Sequence, residues 1–315
     1  MPRGIRLSER TGAFRAGLFL FPMLLLASVA SGDDPFLERR IGDAVFVHTE
    51  RFSETAEALA RAYPALLAEL YRSIGWEYDR VPDIVLADTR ERFEAWAGTE
   101  YFSAFAVPDR ELIVLDPGRM ADFAALEATL KHELCHLLLH RHIDRERLPR
   151  WLDEGVAQWT SDGLSELLIR QDAISLPSLL SAGRLFDLSA LAERFPHSRS
   201  GLALAYAQSR SVVDFIVRDF GREGLLDLLE ALKAGREPED AARAALGLSL
   251  TELEARWRES LGKTSAWLLF LAANLYEFTF VAGALATVFG FVRLRLRQRR
   301  YAEWEAENEE WEDEE

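Results

Sequence analysis

Short aliphatic and β-branched runs closed off by turn formers alternate with longer stretches of helical periodicity. Ala44–His48, Asp83–Ala87 and Glu111–Leu115 read as β-strands on this pattern. Between the first two, Ser53–Ile74 places Leu59, Ala62, Leu66, Leu70 and Ile74 on one helical stripe, with Pro64 predicting a kink or a boundary. Asp116-Pro117-Gly118 is a turn, and the stretch from Asp122 to His142 holds neither Gly nor Pro, so it predicts one long helix. Everything after Pro149 is helical in pattern. Gly221, Gly235, Gly247 and Gly262 are candidate C-caps, and Ser249-Leu250-Thr251-Glu252 is a capping box for the last soluble helix. A small sheet with helices comes first and a helical half second, which predicts an α+β fold.

Two apolar stretches lie outside this plan. Arg3, Arg6, Arg10 and Arg15 precede an apolar run from Ala16 to Ala27 and the small residues Ser28-Val29-Ala30, so residues 1–31 read as a signal peptide or a short N-terminal anchor. Residues 266–292 are apolar over a length sufficient to span a bilayer, about 20 residues. Arg293, Arg295, Arg297, Arg299 and Arg300 follow at once. The positive-inside rule then predicts one C-terminal transmembrane helix, a domain over 32–264 outside, and 293–315 as a cytoplasmic basic-then-acidic tail. Together with a basic set dominated by Arg, this predicts a single-pass protein of a bacterial cell membrane with its catalytic domain periplasmic. Glu277 within the apolar run, and the acidic tail, point to a membrane-protein partner.

Composition narrows the function classes. The 315 residues carry a formal net charge of −15, which argues against a nucleic-acid partner. Nine of the 52 acidic residues fall within 302–315, where no basic residue answers them, so the remainder is only mildly acidic. A single Cys excludes an intramolecular disulfide.

Four of the six His lie within 132–142, beginning with His132-Glu133-Leu134-Cys135-His136. On a helix, positions i and i+4 share a face, so both imidazoles reach one metal ion while Glu133 stands beside it as a general base. His142 sits where a metzincin has its third ligand, yet Leu139 stands where that pattern needs Gly, and no Met follows Met120 to form a Met-turn. His140 shares the stripe, but one rigid helix cannot wrap three ligands around an ion. Glu154 lies 18 residues after His136, in the first turn of a new helix that can fold back antiparallel and bring its carboxylate to the open side of the metal. Two His, one Glu and an open fourth position form the catalytic type of zinc site, so Zn2+ is the expected cofactor.

HELCH followed by LPRWLDEGVAQW resembles the gluzincins, most closely their peptidase-MA-like branch, over roughly residues 80–262. The resemblance implies a zincin active-site helix and a membrane-anchored zinc-dependent metallopeptidase acting on a peptide or protein substrate. It also implies a Tyr or His from the helical half facing the tetrahedral intermediate: Tyr206 in ALAYAQSRSVVDF, with His197 the second candidate. By the same analogy, Glu111–Leu115 would be the edge strand along which a peptide lies. The Gly-x-Met-Glu-Asn element of gluzincin aminopeptidases is missing, which favours endopeptidase over aminopeptidase action. The alternatives are a catalytically silent peptidase-fold scaffold of the envelope and a hydrolase of a non-peptide amide. Cys135 reads as a small buried apolar residue, and Asp153 as either a helix cap or a partner of the metal ligands.

Overall fold

A computed structural model describes residues 35–161, 174–273, 279–280, 282–295 and 297. They divide into two compact units. One holds the described residues up to Ile174 with Phe186–Glu254; the other holds Ser175–Leu185 with the described residues from Ala255 onward. The expected signal segment 1–31, Glu277 and the acidic tail 302–315 lie outside the described residues.

The first unit opens on a five-stranded mixed sheet made of β1 (Leu37–Ile41), β2 (Ala44–His48), β3 (Asp83–Leu86), β4 (Ala104–Val107) and β5 (Leu112–Leu115), in the order β1-β2-β3-β5-β4. β2, β3 and β5 run parallel, and β1 and β4 are antiparallel to their neighbours. β5, an interior strand, is buried at every position. The edge on that side is β4, paired from Ala104↔Leu115 to Val107↔Leu112, so the expectation that Glu111–Leu115 forms the edge is corrected. The chain doubles back through Pro108–Arg110, and Glu111 takes the left-handed conformation, φ 51°, that closes this hairpin.

Helix α1 (Ser53–Ile74) runs through Pro64, which is exposed, and stops at Gly75, whose φ of 87° lets its N–H bond back to Tyr71. After α2 (Arg90–Ala97) comes α3 (Phe123–His142), where Asp122 caps the N-terminus by accepting from the Ala125 N–H at 2.8 Å. Residues 129–139 of α3 are buried without interruption, so this helix is wrapped on all sides and its polar groups there must be used rather than solvated. It packs on α1, on β4 and on α4 (Arg150–Thr160). The helical half then continues with α5 (Leu176–Ser181) in the second unit, and α6 (Leu188–Glu193), α7 (Arg199–Lys233) and α8 (Pro238–Leu246) in the first. Gly221, φ 75°, breaks α7 internally instead of ending it. Helix α9 (Leu250–Ala273) opens on the expected capping box, Ser249 N–H to Glu252 at 2.8 Å and Glu252 N–H to the Ser249 hydroxyl at 3.1 Å.

The expected transmembrane helix over 266–292 does not hold. With it falls the single-pass placement in a bacterial membrane, with a periplasmic catalytic domain and a cytoplasmic C-terminus. Among the described residues no helix is long and apolar enough to cross a membrane. The physical reason is where the helix begins. The apolar residues from Ala266 continue α9, and every stretch of spanning length within α9 includes Arg256, Arg258, Glu259 and Lys263. The helical residues 282–295 are too few to span by themselves.

Candidate metal centre

Helices α3 and α4 bring three ligand atoms together. The Nε2 atoms of His132 and His136 lie 3.2 Å apart, and Glu154 Oε2 lies 3.9 Å from the first and 3.6 Å from the second. A point equidistant from the three is about 2.1 Å from each, the length of a zinc–nitrogen or zinc–oxygen bond, about 2.0–2.2 Å. The tautomers fit as well. His136 Nδ1–H donates to Asp153 Oδ1 at 2.8 Å, and His132 Nδ1 lies 3.4 Å from the Ser161 hydroxyl. Both Nε2 lone pairs are thereby turned toward the shared point, an arrangement a cation between them satisfies. All three residues are buried, His132 completely.

Asp153 does not cap α4, whose N-cap is Pro149. It is shared between two imidazoles, with Oδ1 on His136 and Oδ2 2.9 Å from His140 Nε2. Burial alone would raise the Asp153 carboxyl; the charge of His136 and the hydrogen bonds from His136 and His140 outweigh it and hold the group well below the usual carboxylate range. His136 is the mirror image. Burial would depress it, but Asp153, Glu154 and Glu133 around it hold it well above its ordinary value. The environment is therefore set for positive charge at His136, which a metal dication supplies as well as a proton does.

Glu154 is fixed from α7 as well, because the Tyr206 hydroxyl donates to its Oε1 at 3.1 Å. That approach requires close helices. A Cβ built on Gly155 would meet the Ser209 carbonyl oxygen on α7 at 2.5 Å, so only Gly lets α4 lie this near α7. Gln158 ties the same pair by donating to the Tyr206 carbonyl at 3.1 Å.

The site opens into a cleft of about 390 Å3 lined by Glu133, His136, Glu154 and Tyr206, by Ala104, Phe105 and Ala106 of β4, and by Arg145 and Arg150. The structure brings His132, His136, Glu133, Glu154 and Tyr206 to one place. His197 is exposed, and His142 Nε2 lies 3.0 Å from the Glu77 carbonyl oxygen. The pairing of His140 with Asp153 and the presence of Arg150 in the cleft were not anticipated. Spacing signals both, since His140 is one turn beyond His136 and Arg150 one turn before Glu154.

A crystal structure of a mutant M1 zinc metallopeptidase from Deinococcus radiodurans gives a TM-score of 0.36 at 13% identity, covering 70% of this chain and 50% of that one. The same enzyme bound to a Tyr-Ser-Ala substrate gives 0.34 at 14%, with the same coverage. The chain thus spans half the length of these structures. No curated protein matches it. The sequence profile of the Peptidase MA superfamily matches residues 91–263, from α2 through the cleft-forming helices and into α9. With more than half of its length inside that match, the chain belongs to the Peptidase MA superfamily.

Proposed function

We propose that the chain is a zinc-dependent metallopeptidase of gluzincin type that hydrolyses peptide bonds without requiring a free amino terminus. The observation that carries this reading is the convergence of His132 Nε2, His136 Nε2 and Glu154 Oε2 at zinc-bond distance on the wall of an open cleft. Zinc held there supplies Lewis acidity, lowering the pKa of water and drawing charge from a carbonyl oxygen. Glu133, next to His132 on α3 and facing the cleft, accepts the proton of the attacking water on its carboxylate and delivers it to the leaving nitrogen. Asp153 and His140 keep the His136 ring in the ligating tautomer. Tyr206 has one hydrogen to give, and in this state gives it to Glu154. Stabilising the developing oxyanion would require that hydroxyl to swing from Glu154 to the substrate. β4 is the free sheet edge beside the cleft, and an extended peptide can add to it as a further strand.

The test is metal analysis of the purified chain together with hydrolysis of casein. Wild type should hold one zinc and cleave, Glu133→Gln should hold zinc and not cleave, and His136→Ala should lose both. Hydrolysis that survives Glu133→Gln would refute the mechanism, and stoichiometric zinc with no hydrolysis by wild type would mark a silent scaffold.

A further inference from the structure

Resting on that reading, we propose that Arg150 determines specificity in the cleft by selecting substrates that present a carboxylate next to the scissile bond. Arg150 opens α4 one turn before Glu154, on the same face, with its Nε 3.8 Å from Glu154 Oε1. That separation gives charge attraction but exceeds hydrogen-bond length, about 2.7–3.2 Å. Among the described residues none takes a hydrogen bond from the guanidinium, so its planar fork of donors faces the cleft unused. The carboxylate nearest to it is already engaged: Glu154 gives Oε2 to the metal position and Oε1 to Tyr206.

The fork is also held in place. Its Cζ lies 4.6 Å over the Phe195 ring, and Phe195 in turn packs edge-on against Tyr206 at 5.5 Å. Stacking of this kind restricts a long side chain before any ligand arrives, so less freedom is lost on binding. The Arg150 side chain is 41% exposed, open to a ligand yet partly withdrawn from water. Arg145, the other cation of the lining, differs on each count: it is 76% exposed and lies 3.6 Å from Asp109, a solvated surface pair. Of the other acidic groups of the lining, Asp153 is bound to His136 and His140, Glu133 is buried next to His132 on α3, and Glu193 is exposed to solvent.

One helical turn is about 5.4 Å, and one extended residue spans about 3.3–3.6 Å. A carboxylate gripped by Arg150 therefore belongs to the residue at the cut or its immediate neighbour. It comes either from the substrate's own C-terminus or from an Asp or Glu side chain.

The test uses the full chain carrying Glu133→Gln, loaded with zinc, and calorimetric titration with matched peptide pairs. One pair is Ala-Ala-Ala as the free acid and as its C-terminal amide; the other is N-acetylated Ala-Glu-Ala amide and Ala-Gln-Ala amide. The expected result is that the acid of one pair binds at least about tenfold more tightly than its neutral twin, as a bidentate charge-assisted contact gives. The first pair responds if the C-terminus is the source and the second if a side chain is. Adding Arg150→Gln should bring the ratio below about threefold, and Arg150→Lys, which keeps charge and bulk, should leave an intermediate ratio. Equal affinities within both pairs, no binding of any peptide, or a preference that survives either substitution overturns the proposal. Parallel hydrolysis assays on the chain with Glu133 intact keep the two readings apart, because absence of cleavage condemns the peptidase assignment while the binding ratios still judge Arg150.

Discussion

Replacing Gly155 with Ala tests whether the metal centre depends on how closely α4 approaches α7. The added Cβ would sit 2.5 Å from the Ser209 carbonyl oxygen and 2.6 Å from Val213 Cγ2. Val213 is a stiff β-branched side chain buried within α7, and the Ser209 oxygen belongs to the α7 backbone, so neither yields on its own. Relief therefore requires the helices to part by about 1 Å to reach ordinary van der Waals separation. Overpacking of this kind costs about 1–3 kcal/mol, against about 1 kcal/mol returned because Ala favours helix over Gly. Clash should win, with a net loss of up to about 2 kcal/mol. The larger effect falls on the neighbouring residue. Glu154 shares the peptide bond with Gly155, and Tyr206 holds it from the opposite helix, so a shift of about 1 Å moves a ligand by half of a ~2 Å zinc bond. Zinc affinity should drop at least tenfold. Urea unfolding of the metal-free protein measures the first quantity, and competition with a chromophoric chelator the second. Gly262→Ala is the control, since its Cβ meets nothing within 4 Å and it should leave stability equal or slightly higher. Wild-type zinc affinity in a Gly155→Ala protein, or wild-type stability, would refute the reasoning.

Asp153→Asn should lower zinc affinity by about 10–100-fold without unfolding the chain, because the amide cannot serve His136 and His140 as a shared anion; equilibrium dialysis measures this. Tyr206→Phe should retain zinc and lose up to about 1.5–3 kcal/mol of stability from the hydrogen bond to Glu154. A fall in kcat of about 100-fold, beyond any change in zinc occupancy, would identify a second service to the oxyanion. Glu69 holds the buried Lys131 at 2.7 Å, and this hydrogen bond sets its carboxyl below the ordinary value. A lowered carboxylate stabilises the fold fully above its unfolded pKa, about 4.3, and loses that contribution as pH falls through the folded value. Glu69→Gln should therefore lower Tm at pH 7, and the gap to wild type should close in melts run from pH 5 down to pH 3.

The elements legible in the sequence are those whose burial is lopsided or whose ends carry distinctive chemistry. β2 alternates buried and half-buried positions, α1 keeps its stripe through Pro64, and the Ser249 capping box announces its helix. β1 was not legible because its centre, Glu38-Arg39-Arg40, is exposed on both faces at a sheet edge. β4 is four residues long and merges with the loop before it. Which strand forms the edge could not be read either, since the order β3-β5-β4 inverts chain order. His132, His136 and Glu154 were named as candidate ligands from residue type and spacing, and their ligand atoms lie within 4.8 Å of one another because helix geometry allows few alternatives. Asp153 was ambiguous because a residue in a first turn can face its own backbone or a neighbouring helix, and only packing decides. The apolar stretch from Ala266 misled because hydropathy measures composition and not where a helix starts; α9 begins sixteen residues earlier, among charges.

Cys135, the only thiol in the chain, is wholly enclosed on α3 between His132 and His136, and burial pushes its pKa up to about 12. It is neither ionised nor reachable while that rod stays seated, so alkylating and oxidising agents should pass it by. The chain thus carries a native chemical clock: the rate at which a maleimide tags this one sulfur counts how often the rod comes loose, and slower tagging after zinc is added would read out, in time rather than in energy, how firmly the ion pins it.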